Sequence, residues 1–329
     1  MINNIGIIGL GSIGRRHLRL ARKLRPQLNI IAVRSGQGKK FHEEKLADTI
    51  LYSLDEVIDA GVQAVIIATP ATAHIHQAIN LMGKKIHILI EKPLSHSLEH
   101  VNELLKVEKE SKAVGLVGYC LRYNSGALKF KDMLKNKNTG QILHVQVDCG
   151  SYLPDWRKGK DYRQSVSAKA ELGGGVLLEL SHELDYIRLF FGEMKSVFAN
   201  IQNSGTLDID VEDTVDMIFE SKKGFSISVH LDFNSRSIRR KCIARCSNGV
   251  LIWDIVANKV IWQPADGLEE VETYQNDRNY VYKEQLMHFF NCIENKKSPT
   301  VSIHDGAIVL NMIESVKKSH KIGKKVAIA

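Results

Sequence analysis

Over the first 120 residues, short apolar runs alternate with amphipathic stretches. IGIIGL (5–10), NIIAV (29–33), QAVIIAT (63–69), IHILIE (86–91) and VGLVGY (114–119) are apolar throughout, the mark of strands buried on both faces. Between them apolar positions recur at helical spacing, as over 13–24 and 98–112. Strand and helix alternating with short connections predict a parallel sheet wound on both faces. After residue 120 the pattern changes. QILHVQVDCG, DTVDMIFES, GFSISVHLDF and VLIWDIV alternate in polarity, which predicts an antiparallel sheet with one covered face. Helical periodicity returns over 280–294 and 304–320. The expected class is α/β: an N-terminal Rossmann-type, doubly wound parallel sheet over 1–120, then an α+β domain over 121–329 with a large, open, mainly antiparallel sheet.

The chain has 329 residues, 44% of them hydrophobic, enough for two cores. No run approaches the roughly 18 apolar residues of a membrane span, and MINNIGIIGLGSIGRRH has neither a basic leader nor a small-residue cleavage site. A cytoplasmic protein with no membrane partner is expected. The net charge of +8 is spread through GRRHLRLARKLR, GKK and KSHKIGKK and interleaved with acids, so no concentrated basic face points to nucleic acid. Such a balance does suit an anionic ligand. Cys120, Cys149, Cys242, Cys246 and Cys292 lack paired Cys-x-x-Cys spacing. Cys242 and Cys246 share a strand face, but with no second pair nearby they are expected to be free buried thiols, and no metal site is expected.

Gly9, Gly11, Ser12, Ile13 and Gly14 lie in a G-x-G-x-x-G pattern that follows a strand and opens a helix. In that context Gly9 makes the tight turn, Gly11 lets the backbone approach a pyrophosphate, and Gly14 lets helix and strand pack closely. The helix N-terminus then faces the phosphates. Where an acidic residue normally holds the ribose 2'-hydroxyl of NAD, this chain has Val33, Arg34, Ser35 and Gly36, with Lys39 and Lys40 following. Arg34 and Ser35 suit a 2'-phosphate, which favours NADP over NAD; stacking of Arg34 on adenine would leave NAD acceptable.

Strand ends of such a sheet face the cofactor crevice. Thr69 and Pro70 end one strand, with His74 a turn into the next helix; Glu91, Lys92 and Pro93 end another. A lysine before proline at a strand end is held out of helical geometry. Beside a nicotinamide it can exchange a proton with a hydroxyl or carbonyl. The bland alternative is a surface lysine paired with Glu91.

GLGSIGRRH, ATPATAHIHQA, EKPLSHSLE, GYCLRYN and ELGGGVLLELSHELDY together resemble the glucose-fructose oxidoreductase and inositol dehydrogenase family, Gfo/Idh/MocA, over nearly the whole chain. The resemblance implies hydride transfer between NAD(P) and a hydroxyl or keto carbon of a sugar, sugar acid or nucleotide sugar. It implies a second domain that binds substrate and forms homodimers or homotetramers through its sheet. Carried across by position, Lys92 and His182 are the acid/base groups, with Asp185 beside the histidine, and Thr69, Pro70, His74 and Glu91 lie on the cofactor side. Many relatives have an aspartate four residues before the histidine; here that position is Leu178, with Glu179 displaced by one. On a continuous helix Glu179 stands about 60° from His182. GSYLPDW with LSHELDY also resembles a branch linked to surface-polysaccharide sugars.

Arg122 and Tyr123, and in the long stretch 150–163 Trp156, Tyr162 and Arg163, join His182 as candidate substrate ligands, since aromatics with arginines suit a sugar bearing carboxylate or phosphate. A single helix is expected after the glycines, with Leu177, Leu180, Leu184 and Ile187 on the sheet and His182 facing the cleft. Gly173, Gly174 and Gly175 would then leave room for substrate or nicotinamide near the backbone. Two rivals to a dehydrogenase stay open. One is an enzyme that recycles bound NAD(P) in glycoside cleavage or epimerisation; the other is a non-catalytic NAD(P)-binding sensor.

Overall fold

The computed structural model describes residues 1–36, 40–136, 138–275, 277 and 279–328, in two compact units. One comprises Met1–Cys120 and Asn279–Leu310, the other Leu121–Arg278 and Asn311–Ala329.

In the first unit β1 (Asn4–Ile8), β2 (Asn29–Val33), β3 (Thr49–Leu51), β4 (Ala64–Ile67), β5 (His87–Ile90) and β6 (Gly115–Val117) form a parallel sheet. The order is β3-β2-β1-β4-β5-β6. It reverses between β1 and β4, so their C-terminal ends open a crevice. Ile5, Ile7, Val65, Ile66, Ile88 and Leu89 are fully buried, which is why these runs are apolar without alternation. The connecting helices are α1 (Ser12–Leu24), α2 (Leu54–Asp59), α3 (Ala71–Gly83) and α4 (Val101–Ser111). The sequence pattern does not reveal β3 or α2. The strand is a three-residue edge with no buried side chain, and the short helix is held by a Ser53 and Glu56 capping box.

In the second unit nine strands form one sheet, with all neighbours antiparallel except β7 and β10. They are β7 (Ile142–Gly150), β8 (Met194–Gln202), β9 (Thr214–Ser221), β10 (Ser226–Asp232), β11 (Arg239–Cys246), β12 (Gly249–Asp254), β13 (Lys259–Pro264), β14 (Glu270–Thr273) and β15 (Val326–Ala327). Helices α5 (Ser125–Asn136), α6 (Val176–Glu179) and α7 (His182–Phe191) belong to this unit. Trp253, fully buried on the covered face, gathers Phe130 of α5 and Tyr186 and Phe190 of α7 around its indole at 5.2–6.4 Å between ring centroids. Cys242 and Cys246 share that face, and all five cysteines are free and buried.

The last helices are α8 (Tyr280–Glu294) and α9 (Ile303–Ile322). Leu286, Phe289 and Phe290 of α8 enter the core formed by Leu18, Leu20 and Ala21 of α1. Residues 279–310 thus cluster with the first unit, although they follow the second in sequence. Among the described residues, no helix is long and apolar enough to cross a membrane.

Candidate active site

The glycine loop shows why each glycine stands where it does. Gly9 has φ +87°, and a Cβ there would meet the Ala68 carbonyl oxygen at 2.7 Å. A Cβ on Gly14 would overlap the Gly9 carbonyl oxygen, so the start of α1 lies directly on the end of β1. Gly11 is different: nothing lies within 4 Å of where its Cβ would stand. As N-cap of α1 it has no side-chain cap, and Ser12, Ile13, Gly14 and Arg15 bring no acid to the first turn. The open backbone and positive helix end fit the pyrophosphate of a dinucleotide.

Past the end of β2, the Arg34 guanidinium lies 3.3 Å from Glu44, with side chains only 8% and 12% exposed. Glu44 is held in turn by the Phe41 N–H at 2.8 Å. The segment Val33 to Gly36 lacks a carboxylate, but the fold supplies one from ten residues beyond Arg34. Ser35 and Lys40 are exposed, and Lys39 lies outside the described residues.

At the ends of β4 and β5, Thr69 Oγ1 donates to Gln77 at 2.8 Å and Pro70 is the N-cap of α3. His74 is buried with Nδ1 2.9 Å from the Pro93 carbonyl and Nε2 2.9 Å from the Thr69 carbonyl. Burial pushes its pKa below the ordinary value, against the pull of the two carbonyls. It ties the two strand-end turns together. Glu91 is also buried, its Oε1 2.6 Å from Nε2 of His17 on α1, and the His17 ring stands edge-on to Tyr282 at 6.2 Å. Glu91 is therefore engaged on the side away from solvent, while the adjacent Lys92 is half-buried, its peptide to Pro93 cis. His17 carries no role in the sequence reading; a histidine in phase with the buried positions of α1 was the available signal.

In the second unit the glycine-led segment departs from expectation. A Cβ on Gly174 would stand 2.5 Å from the Val166 carbonyl oxygen, and one on Gly175 would overlap the Glu212 carboxylate. The space beside these glycines is filled by the protein's own atoms and leaves no entry for a ligand. Nor is there one continuous helix: α6 ends at Glu179, Leu180 and Ser181 intervene, and α7 starts at His182. Glu179, Leu180 and His182 line one cavity of about 410 Å³ with Trp156, Arg239 and Arg240.

Asp185 accepts from Arg122 Nε and Nη2 at 2.6–3.1 Å, a buried pair. Tyr123 is half-buried. The Trp156 indole donates to Ser151 Oγ at 2.9 Å and stands edge-on to Phe233 at 5.2 Å. Tyr162 donates to the Leu207 carbonyl at 2.8 Å, and Arg163 is held by Asp161 at 2.9 Å and Asp208 at 3.2 Å. Of the predicted ligands, Trp156 and His182 share the cavity. Arg239 and Arg240 were missed. Arg240 donates to the fully buried Glu183 at 2.6 and 3.0 Å, which lets a guanidinium sit in phase with the buried Cys242 and Ala244 of β11. A charge on an apolar strand face was the legible signal.

Residues 3–119 match the family model described as "Oxidoreductase family, NAD-binding Rossmann fold", and residues 127–252 match the GFO/IDH/MocA C-terminal domain. A myo-inositol 2-dehydrogenase of Thermotoga maritima is 24% identical over 96% of this chain and 95% of its own length. A 2,7-anhydro-N-acetylneuraminate hydratase of Escherichia coli is 26% identical over 67% of this chain and 59% of its own. In three dimensions the chain is similar to a levoglucosan dehydrogenase solved with NADH and levoglucosan, with a TM-score of 0.89 at 18% identity, covering 99% of each chain. With both family models matched in order on the two folds they describe, the chain belongs to the Gfo/Idh/MocA family of NAD-binding oxidoreductases and is an enzyme of that class.

Proposed function

We propose that this enzyme moves hydride between nicotinamide C4 and a hydroxyl or keto carbon of a sugar, sugar acid or nucleotide sugar, with Lys92 and His182 handling the hydroxyl proton. The observation that carries the proposal is the cavity in which Glu179 and His182 meet beside Trp156, Arg239 and Arg240. It offers acid/base groups, an aromatic wall and cations, a set suited to a polyhydroxylated or anionic ring. Glu179 takes the place that Leu178 leaves empty relative to the family pattern. For the cofactor we favour NAD, since Glu44 balances the charge of Arg34 that would otherwise draw a 2'-phosphate. The test is a screen of cyclitols, free sugars, sugar acids and nucleotide sugars for a change at 340 nm with NAD and NADP. Substrate turnover without such a change would replace the dehydrogenase by an enzyme that recycles its bound cofactor, a reading favoured by the likeness to a hydratase.

We also place homo-oligomer formation on the uncovered face of the nine-strand sheet. Phe198, Ile218, Ser228, Gln146, Ile243, Ile252, Ile261 and Val271 fall in register across eight strands, and Phe198 and Ile218 are 45% and 52% exposed. Light scattering of wild type and Ile218→Lys decides it; equal masses would remove this face from the assembly.

A further inference from the structure

Trp156 lines two cavities. One is the cavity that holds Glu179 and His182; the other is a second cavity of about 400 Å³ in the same unit, with Arg157, Lys160, Tyr162 and Ser167. Ser167, which lines the second cavity, donates its hydroxyl to Glu179 of the first at 3.1 Å. Each space is large enough for one small ligand group. Their electrostatics differ. In the second cavity Asp161 is engaged by Arg163, itself also bound to Asp208. Among the described residues, no carboxylate pairs with the side chain of Arg157 or Lys160. Two cations thus stand beside an aromatic wall with no acid paired to either, one of them able to bind a planar or tetrahedral oxyanion by its fork of donors.

We propose that this second cavity is a phosphate subsite: the substrate carries a phosphate or diphosphate that binds Arg157 and Lys160 while its sugar ring lies on the other side of Trp156 against Glu179 and His182. Arg163, the arginine that stands out in the sequence, is structural here, because its charge is spent on Asp161 and Asp208. The proposal rests on the sugar-oxidoreductase reading for what occupies the first cavity, and it extends that reading by naming a phosphorylated sugar as the substrate class.

The test is calorimetric titration of the full-length protein, saturated with NAD so that the dinucleotide loop is blocked, with UDP, glucose 1-phosphate, inorganic pyrophosphate and glucose. The three phosphorylated probes are expected to bind and glucose to bind at least about tenfold more weakly. Arg157→Ala with Lys160→Ala should weaken the phosphorylated probes by about 10- to 100-fold, as loss of charge-assisted hydrogen bonds does, with Arg163→Ala within about threefold of wild type. Both side chains are exposed, so the double variant is expected to fold. UDP binding more tightly than pyrophosphate assigns the site to a nucleoside diphosphate, and equal binding assigns it to phosphate alone; either supports the subsite. No binding of the phosphorylated probes, or binding unchanged in the double variant, overturns it. Hydride transfer to a phosphorylated sugar with unchanged KM in the double variant would overturn the subsite and leave the reaction standing. Absence of hydride transfer with any sugar, together with UDP binding that depends on Arg157 and Lys160, would overturn the reaction and leave the subsite.

Discussion

Asp185 accepts from both Nε and Nη2 of Arg122, and the two side chains are only 1% and 9% exposed. Residues that read in the sequence as a histidine partner and a substrate ligand are thus bound to each other. Removing one member of a buried pair leaves the other charged and out of water, at a cost of about 3–5 kcal/mol. Arg122→Met is therefore expected to lower the denaturant midpoint strongly while leaving KM for the sugar near wild type. A wild-type midpoint with a raised KM would return Arg122 to substrate binding.

The two glycines at the start of α1 separate folding from cofactor binding. Gly14→Ala forces a methyl into the Gly9 carbonyl and should destabilise by at least about 1–3 kcal/mol, the usual cost of overpacking. Gly11→Ala meets no protein atom within 4 Å, so its melting temperature should stay near wild type. Its affinity for NADH should fall tenfold or more, in the order of about 1.4 kcal/mol, because the methyl occupies the path of the pyrophosphate. Fluorescence titration that finds wild-type affinity in Gly11→Ala would move the phosphates elsewhere.

Lys92 is the group proposed to exchange the hydroxyl proton. General acid/base catalysis contributes about 10²- to 10⁴-fold, so Lys92→Met should lower kcat by that factor while NADH binding stays within about twofold. Unchanged turnover removes Lys92 from the mechanism.

Glu44 sets the charge seen at the end of β2. Glu44→Gln removes one negative charge beside Arg34 and is expected to raise kcat/KM for NADP relative to NAD by about tenfold, roughly one charge-assisted contact. The paired kinetic constants of wild type and variant check this, and a ratio that does not move leaves Arg34 and Glu44 outside cofactor choice.

His230 makes stability depend on pH. Its bond to Asp232 raises its pKa to about 9, burial opposes the rise, and Asp216 at 2.7 Å adds to it. The folded pKa lies above the unfolded value of about 6.5, so the stabilisation is complete below about pH 6.5 and is lost as pH rises through about 9. Asp232, held near 2 by His230 and Ser235 against the effect of burial, stays ionised throughout that range. The stability gap between wild type and His230→Gln, measured by urea unfolding, should be widest near pH 6 and close by pH 10. A gap that widens towards pH 10 would reverse the assignment.

How much was legible beforehand follows from the range of each interaction. The β1, glycine loop and α1 sequence is local: tight turn, open backbone and close packing are each demanded of one residue, so the dinucleotide fold could be read directly. The buried strands were legible for the same reason, while β3 escaped because a three-residue edge strand buries too little to leave a pattern. The 280–294 helix was visible from its period. That period says only that one face is buried, and not that Leu286, Phe289 and Phe290 would meet α1.

By itself the sequence determined the class of fold, the order of its two sheets along the chain and the dinucleotide loop, all of which rest on spacing within a few residues. Only the tertiary structure decided which side chains share a space. It set Glu44 against Arg34, filled the room beside Gly174 and Gly175, interrupted the helix between Glu179 and His182, and placed both of those residues on one cavity. Those outcomes depend on chain segments brought together by core packing, and a charge distant in sequence leaves no mark on the local pattern of the residue it meets.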